Sequence, residues 1–320
     1  MPLGLKKNTH NISEEKMDPL MKAIKAVHST IGTSDVERAE SLNRQRHSQE
    51  VFSKLVTPAV GIKYEKDSVL RKVVDETPIP IEWAIPEFAH RNDKIILYCH
   101  GGGYTCGGLG YAGILTGKLA VHTGLRVMSF EYRLAPENPY PAAIEDVLIV
   151  WDYLMLLGYG AKDIFVAGDS AGGNLALELC LELKKQNRML PLGLLLMSPW
   201  TDMTTTLPSY EKYKEVDPTI TKEYVLGVRH AYAGDDADFS KPEYSPLYAD
   251  LSSIPPTMIE VGSNEILRSD SEELYKKLRK LNIHCRLEVY PGGWHVFQQM
   301  PISKASKALD DIKEFIDTII

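Results

Sequence analysis

The sequence predicts a doubly wound α/β fold on a mostly parallel sheet, and three observations predict it. Strand-like and helix-like segments alternate from residue 94 to residue 319. The central strand-like runs, Phe165-Val-Ala and Leu192-Gly-Leu-Leu-Leu-Met197, are almost continuously apolar, as strands covered by helices on both faces must be. At 320 residues the chain is long enough for one large α/β domain carrying insertions, or for about two ordinary domains.

In chain order, residues 1–60 are polar and helix-like. Apolar positions from Glu14 to Val27 recur at helical intervals, and those from Val36 to Val56 do so more weakly. Short β-rich runs follow at Val69–Val74, Ile79–Ile85 and Lys94–Cys99, the last ending abruptly in a glycine cluster. The pattern then predicts strand 126–131, helix 141–157, strand 163–167, helix 172–186, strand 192–198, strand 256–261, helix 269–281, strand 284–290 and helix 303–319. In helix 269–281, Leu274, Leu278 and Leu281 mark a buried stripe, with Glu272/Lys276 and Glu273/Lys277 as outer-face pairs. Between residues 199 and 255 the rhythm breaks into a stretch rich in Pro and Asp that holds Tyr210, Tyr213, Tyr224, Tyr232 and Tyr244. A long insertion after a strand's carboxyl end is where lids and binding loops sit. Residues 1–60 and about 200–245 are therefore expected to form a composite cap over a catalytic body spanning 61–320.

Composition narrows the function classes. With 44% hydrophobic and 25% charged residues the chain is neither fibrous nor disordered. Its net charge of −7 argues against a nucleic-acid-binding surface, which needs concentrated Lys and Arg. Residues 1–60 carry +2, so the acidic balance belongs to the rest. Cys99, Cys106, Cys180 and Cys285 are too few and too unevenly spaced for a disulfide framework or a metal clip. Residues 1–10 lack the apolar core of a leader, and no apolar run approaches the ~18 residues of a membrane span, so a cytoplasmic protein is expected.

The strongest local signal is Gly168-Asp169-Ser170-Ala171-Gly172-Gly173-Asn174, set between an apolar strand and an apolar helix. Glycines at 168 and 172 allow a sharp strand-to-helix turn that lifts the Ser170 hydroxyl above the sheet and aims the helix N-terminus at whatever reacts there. The plain alternative is a serine helix cap. Directly after strand 94–99 comes His100-Gly101-Gly102-Gly103-Tyr104. An acyl oxyanion needs preorganised backbone N–H donors, and glycine lets the main chain approach it, so Gly102, Gly103 and Ala171 are the expected oxyanion donors. His100 reads as an anchor for this loop.

Of the nine histidines, His295 alone combines a loop position after a strand with flanking glycines and aromatics, which suits a general base. The orienting acid should lie on the loop after the penultimate strand. Glu265, first after that turn, is preferred there over Asp270, five residues on, which better suits the start of the next helix. Three further motifs carry less. Gly108-Leu-Gly-Tyr-Ala-Gly113, with Glu131 18 residues on, has the form of a dinucleotide fingerprint but begins too far beyond its strand. Cys106 has no histidine placed to activate it, and Asp235-Asp-Ala-Asp238 lacks calcium-loop spacing.

These motifs together resemble the hormone-sensitive-lipase family of α/β-hydrolases over about residues 70–320. His100–Gly103 is similar to its HGGG loop, Gly168–Gly173 to its GDSAGG elbow, and His295-Val-Phe297 to its HxF histidine. Glu131-Tyr-Arg-Leu-Ala-Pro-Glu137 resembles the DYRLAPE stretch that in the family braces the oxyanion side. Two departures stand out: Glu131 replaces an aspartate, and the usual Asp-Pro-Leu of the acid reads Glu265-Ile-Leu. The resemblance implies a carboxylesterase with the α/β-hydrolase fold, favouring small acyl groups, and a homodimer formed through the last strand and helix. The expected reaction is hydrolysis of short-acyl esters through Ser170, His295 and Glu265, with no cofactor or metal and no nucleic-acid or membrane partner. An amide hydrolase or N- or O-deacetylase with the same triad, and a non-catalytic ligand receptor on this scaffold, are the alternatives.

Overall fold

The computed structural model of this chain describes residues 19, 21, 22, 25, 39–55, 59–71, 76–89 and 93–320. Among them, eight strands form one sheet: β1 (Ile62–Leu70), β2 (Pro78–Pro86), β3 (Ile95–Cys99), β4 (Arg126–Phe130), β5 (Ile164–Asp169), β6 (Gly193–Met197), β7 (Thr257–Gly262) and β8 (Cys285–Tyr290). They lie in the order β1-β2-β4-β3-β5-β6-β7-β8. β1 and β2 pair antiparallel, β2 runs antiparallel to β4, and every pair from β4 to β8 is parallel. The helices are α1 (Ala39–Leu55), α2 (Leu109–Thr123), α3 (Ala142–Leu156), α4 (Ala171–Lys185), α5 (Ser209–Lys212), α6 (Lys222–Ala233), α7 (Arg268–Lys280) and α8 (Ser303–Ile319).

Strand side chains alternate between faces, and here both faces are apolar because each meets a helical layer. Ile96, Tyr98, Val127, Phe165, Ala167 and Leu195 pack against α2 and α8 through Leu115, Leu119, Ile312 and Phe315. Their neighbours Ile95, Leu97, Met128, Val166, Leu194 and Ile259 face α3, α4 and α7 through Val147, Trp151, Leu175, Leu179, Leu274 and Leu278. The central strands β3, β5, β6 and β7 are buried at every residue, which explains their unbroken apolar runs.

Three expectations change. The strand placed at Val69–Val74 begins earlier, at Ile62, and residues 72–75 lie outside the described residues. β1 is a largely exposed edge strand whose Lys63, Glu65, Lys66 and Asp67 face water, so no apolar alternation marks it. In α7, Leu274 and Leu278 are fully buried, but Leu281 is 37% exposed at the C-cap. The outer-face pairs also differ: Glu272 takes Arg268, Glu273 takes Lys276, and Lys277 donates to the carbonyls of Leu247 and Ala249. Long side chains on a helix have several partners within reach, and the i,i+4 spacing alone does not choose among them. Of the expected N-terminal helices, α1 falls inside Val36–Val56, while most of Glu14–Val27 lies outside the described residues. Among the described residues no helix is long and apolar enough to cross a membrane.

Candidate active site

β5 ends at Asp169 and α4 begins at Ala171, so the chain reverses on Ser170 alone, at φ 54° and ψ −120°. A non-glycine residue there is strained and persists only where its surroundings hold it. Ser170 N–H donates to the Met197 carbonyl, and the Ser170 carbonyl accepts from Trp200 N–H, both at 3.0 Å. Ser170 stands at the helix's capping position, yet its side chain makes no capping hydrogen bond. Its Oγ lies instead 2.9 Å from His295 Nε2, which removes the plain helix-cap alternative. The turn also needs a bare backbone: a Cβ on Gly172 would stand 2.0 Å from the Cys99 carbonyl oxygen. Gly172→Ala is therefore expected to cost about 3 kcal/mol or more, seen as a large drop in Tm or loss of folded protein.

The glycine loop after β3 is locked to the same turn. Gly101 N–H donates to Asp169 Oδ1 at 2.8 Å, and Tyr104 OH donates to Asn174 Oδ1 at 2.7 Å, so residues flanking Ser170 hold both ends of the Gly102-Gly103 pair. Tyr98 and Tyr111 also donate to the Asp169 carboxylate. Gly102 and Gly103 sit at φ 111° and 62°, the left-handed region that favours glycine. Neither their N–H groups nor that of Ala171 donates to another group among the described residues. From behind, Tyr132 OH donates to the His100 carbonyl at 2.8 Å, the two rings stack at 4.1 Å, and Ala135 N–H bonds the Tyr104 carbonyl. Arg133 is in turn fixed by buried Asp146, which it shares with Arg71. Burial pushes the His100 imidazole down to about 4, so it stays neutral and serves as the anchor the sequence predicts.

His295 follows β8 on a loop. Its Nδ1 lies 3.8 Å from Glu265 Oε1, longer than a hydrogen bond, and neither atom has another partner among the described residues. Glu265 is oriented through its other oxygen, which accepts from Ser198 Oγ at 2.9 Å and Gly262 N–H at 3.1 Å. Ser198 Oγ accepts from Val296 N–H at 3.2 Å, bridging the acid to the histidine loop. Asp270, by contrast, accepts from the N–H groups of Thr201 and Asp202 and braces the segment after β6. Burial opposes charge on His295, but the carboxylates of Glu265, Asp217 and Asp169 outweigh it and raise the imidazole above its ordinary value.

Sequence reasoning missed Ser198 and Asp217. Asp169 and Asn174 lay inside the quoted elbow without a role. Neither Ser198, after an apolar strand, nor Asp217, inside an irregular insertion, carries a local signal, because their partners are distant in sequence. The other motifs resolve against function. Glu131 Oε1 accepts from Leu109 N–H at 3.0 Å, so a carboxylate of the chain itself sits at the N-terminus of α2, where a dinucleotide would need its pyrophosphate. The Cys106 thiol is buried and pushed up to about 11. Asp238 accepts from Ser240 in an exposed turn, and among the described residues no cluster of three metal-ligating side chains occurs.

Residues 96–299 match a protein family described as alpha/beta hydrolase fold. An esterase of Acinetobacter venetianus is 38% identical over 229 residues, covering 71% of this chain and 75% of that protein. An acetyl-hydrolase of Streptomyces hygroscopicus is 31% identical over 217 residues, covering 68% and 71%. Among solved structures, an esterase from the bacterial hormone-sensitive lipase family is similar with a TM-score of 0.85 at 30% identity, covering 95% of this chain and 99% of that one. The chain therefore belongs to the α/β-hydrolase fold family, within its hormone-sensitive lipase branch.

Proposed function

We propose that this protein hydrolyses short-acyl carboxylic esters, with Ser170 as nucleophile, His295 as general base and acid, Glu265 as the orienting carboxylate, and the N–H groups of Gly102, Gly103 and Ala171 as the oxyanion hole. The observation that carries it is the 2.9 Å approach of His295 Nε2 to Ser170 Oγ at the start of α4. Relatives named esterase and acetyl-hydrolase support the same reaction class. As Ser170 Oγ attacks the ester carbonyl, its proton passes to His295 and the carbonyl oxygen becomes an oxyanion held by the three N–H groups. Collapse expels the alcohol, which takes the proton from His295. Water then attacks the acyl-enzyme with His295 as base, releasing the acid and restoring Ser170. The 3.8 Å separation of Glu265 from His295 is of the kind that shortens as the imidazolium forms.

Small acyl groups are supported by the insertion's closeness to the glycine loop: a Cβ on Gly103 would meet Tyr224 OH at 2.9 Å and Val228 at 3.0 Å. We infer that residues 1–60 and 200–245 act together as a cap, supported by Lys25 Nζ donating to the Glu215 carbonyl. In a series of p-nitrophenyl esters, kcat/KM should be highest from acetyl to butyryl and about tenfold or more lower for octanoyl. Failure of the purified protein to hydrolyse the acetyl and butyryl esters would falsify the proposal. His295 must be neutral to accept a proton, and its carboxylate neighbours raise its pKa. The acidic limb of kcat/KM should thus have its midpoint above the 6.5 of an unperturbed imidazole, with activity lost as pH falls through it. The four cysteines, all free and buried, suit a reducing cytoplasm, and the sheet edge at β8 with α8 is the surface through which we propose that two copies pair.

A further inference from the structure

We infer that Asp217, carried by the insertion after β6, is a positioning residue for the reaction proposed above: it ties the insertion to the loop that presents Glu265 and adds a second negative charge that acts on His295. The inference rests on that proposed reaction. Asp217 is buried at 3% exposure in the segment between α5 and α6. Its Oδ1 accepts from Thr219 N–H at 2.9 Å, Thr219 Oγ at 2.8 Å and Ile220 N–H at 3.3 Å, and its Oδ2 accepts from Ile266 N–H at 3.0 Å. The first oxygen thus secures the insertion to itself, and the second grips the backbone one residue beyond Glu265.

Four donors satisfy this carboxylate, yet among the described residues no Lys or Arg pairs with it. A buried carboxylate without a cation is costly to desolvate. The ionisable groups that act on it are His295, which favours its charge, and Glu265, which opposes it, and burial pushes its carboxyl up to about 6. The charged groups acting on His295 are Glu265, Asp217 and Asp169, all acidic. The charge on Asp217 is therefore best balanced when His295 is an imidazolium, the state formed while the acyl group transfers. Its negative charge makes His295 the stronger base, and its bond to Ile266 holds the acid's loop at the depth that base requires.

Two variants separate the charge from the tether. Asp217→Asn keeps the shape and removes the charge, and because its amide offers one acceptor oxygen in place of two it also gives up the donors on one side, so the charge is read from the acidic limb. Folded protein should lose about tenfold in kcat/KM on p-nitrophenyl acetate, and its acidic limb should move down by about half a pH unit or more, because a base with fewer negative neighbours is protonated less readily. Ile266→Pro removes the N–H and also exchanges a fully buried isoleucine side chain for a smaller ring, so Ile266→Ala, which keeps the N–H, is its control. Position 266 is the second residue of a turn closed by Arg268 N–H on the Glu265 carbonyl, where proline fits. It should lower kcat several-fold with the acidic limb near its wild-type position. A folded Asp217→Asn protein whose acidic limb does not move overturns the inference, whatever its kcat. Should that variant not fold, Ile266→Pro measured against Ile266→Ala decides: a kcat clearly below that of the alanine variant supports the tether, and an equal kcat overturns it. Inactivity of the wild-type protein on the ester would instead sink the underlying reaction, whatever the variants do.

Discussion

Ser170→Ala is expected to lower kcat on p-nitrophenyl acetate by about 10⁴-fold or more while leaving Tm close to that of the unaltered protein. The substitution removes one oxygen and nothing that holds the turn. Ser170's backbone bonds to Met197 and Trp200 are unaffected, and Gly172 keeps its contact with the Cys99 carbonyl. Alanine tolerates the positive φ no better and no worse than serine does. What disappears is the atom 2.9 Å from His295 Nε2, and with it covalent catalysis. Residual hydrolysis would come from the three unengaged N–H groups acting on water's attack, a far smaller effect. A fluorophosphonate probe, which needs an activated serine, should label the unaltered protein and not the variant. Retained esterase activity in Ser170→Ala would assign the reaction to another group.

The second large effect concerns the acid, where two adjacent candidates separate cleanly. Glu265→Gln is expected to reduce kcat by about 10²- to 10⁴-fold, because the amide can still accept from Ser198 and Gly262 but no longer offers His295 a charge or the correct tautomer. Asp270→Asn should leave kcat within about threefold. Burial, with Asp202 nearby, raises the Asp270 carboxyl well above its ordinary value, the direction in which a neutral replacement is tolerated. Asparagine retains the oxygen that accepts from Thr201 and Asp202. Equal and small losses in the two variants would mean that His295 is oriented by neither.

The parts of this protein legible in its sequence are those whose physics is local. A tight turn needs glycine at fixed offsets from Ser170, a buried strand needs an apolar run, and both are written within ten residues. The preference for Glu265 over Asp270 could be drawn the same way, from distance along the loop to the helix start. Ser198 was not legible because its hydroxyl matters only where the end of β6 meets the Glu265 turn and the His295 loop, and its partners there, Glu265 and Val296, are 67 and 98 residues away. Asp217 was hidden likewise, its partner Ile266 being 49 residues away. β1 escaped because an edge strand in water has no inside to pattern. Which lysine pairs with which glutamate on α7 is a choice among near-equal surface geometries, and no spacing rule encodes it.

The bonds from Asp169 to Gly101 and from Asn174 to Tyr104 have a consequence for how such a protein can change. They make the elbow and the glycine loop a single jig, registered to each other by side chains one and four positions from Ser170. The insertion and the N-terminal stretch contribute to neither bond. Apart from Asp217, lineages can therefore rewrite residues 200–245 to admit new alcohols or acids without realigning Ser170 to its oxyanion donors. A designer grafting this chemistry onto another parallel sheet would have to transplant both motifs with both bonds, and could discard the cap apart from the Asp217 contact to the acid's loop.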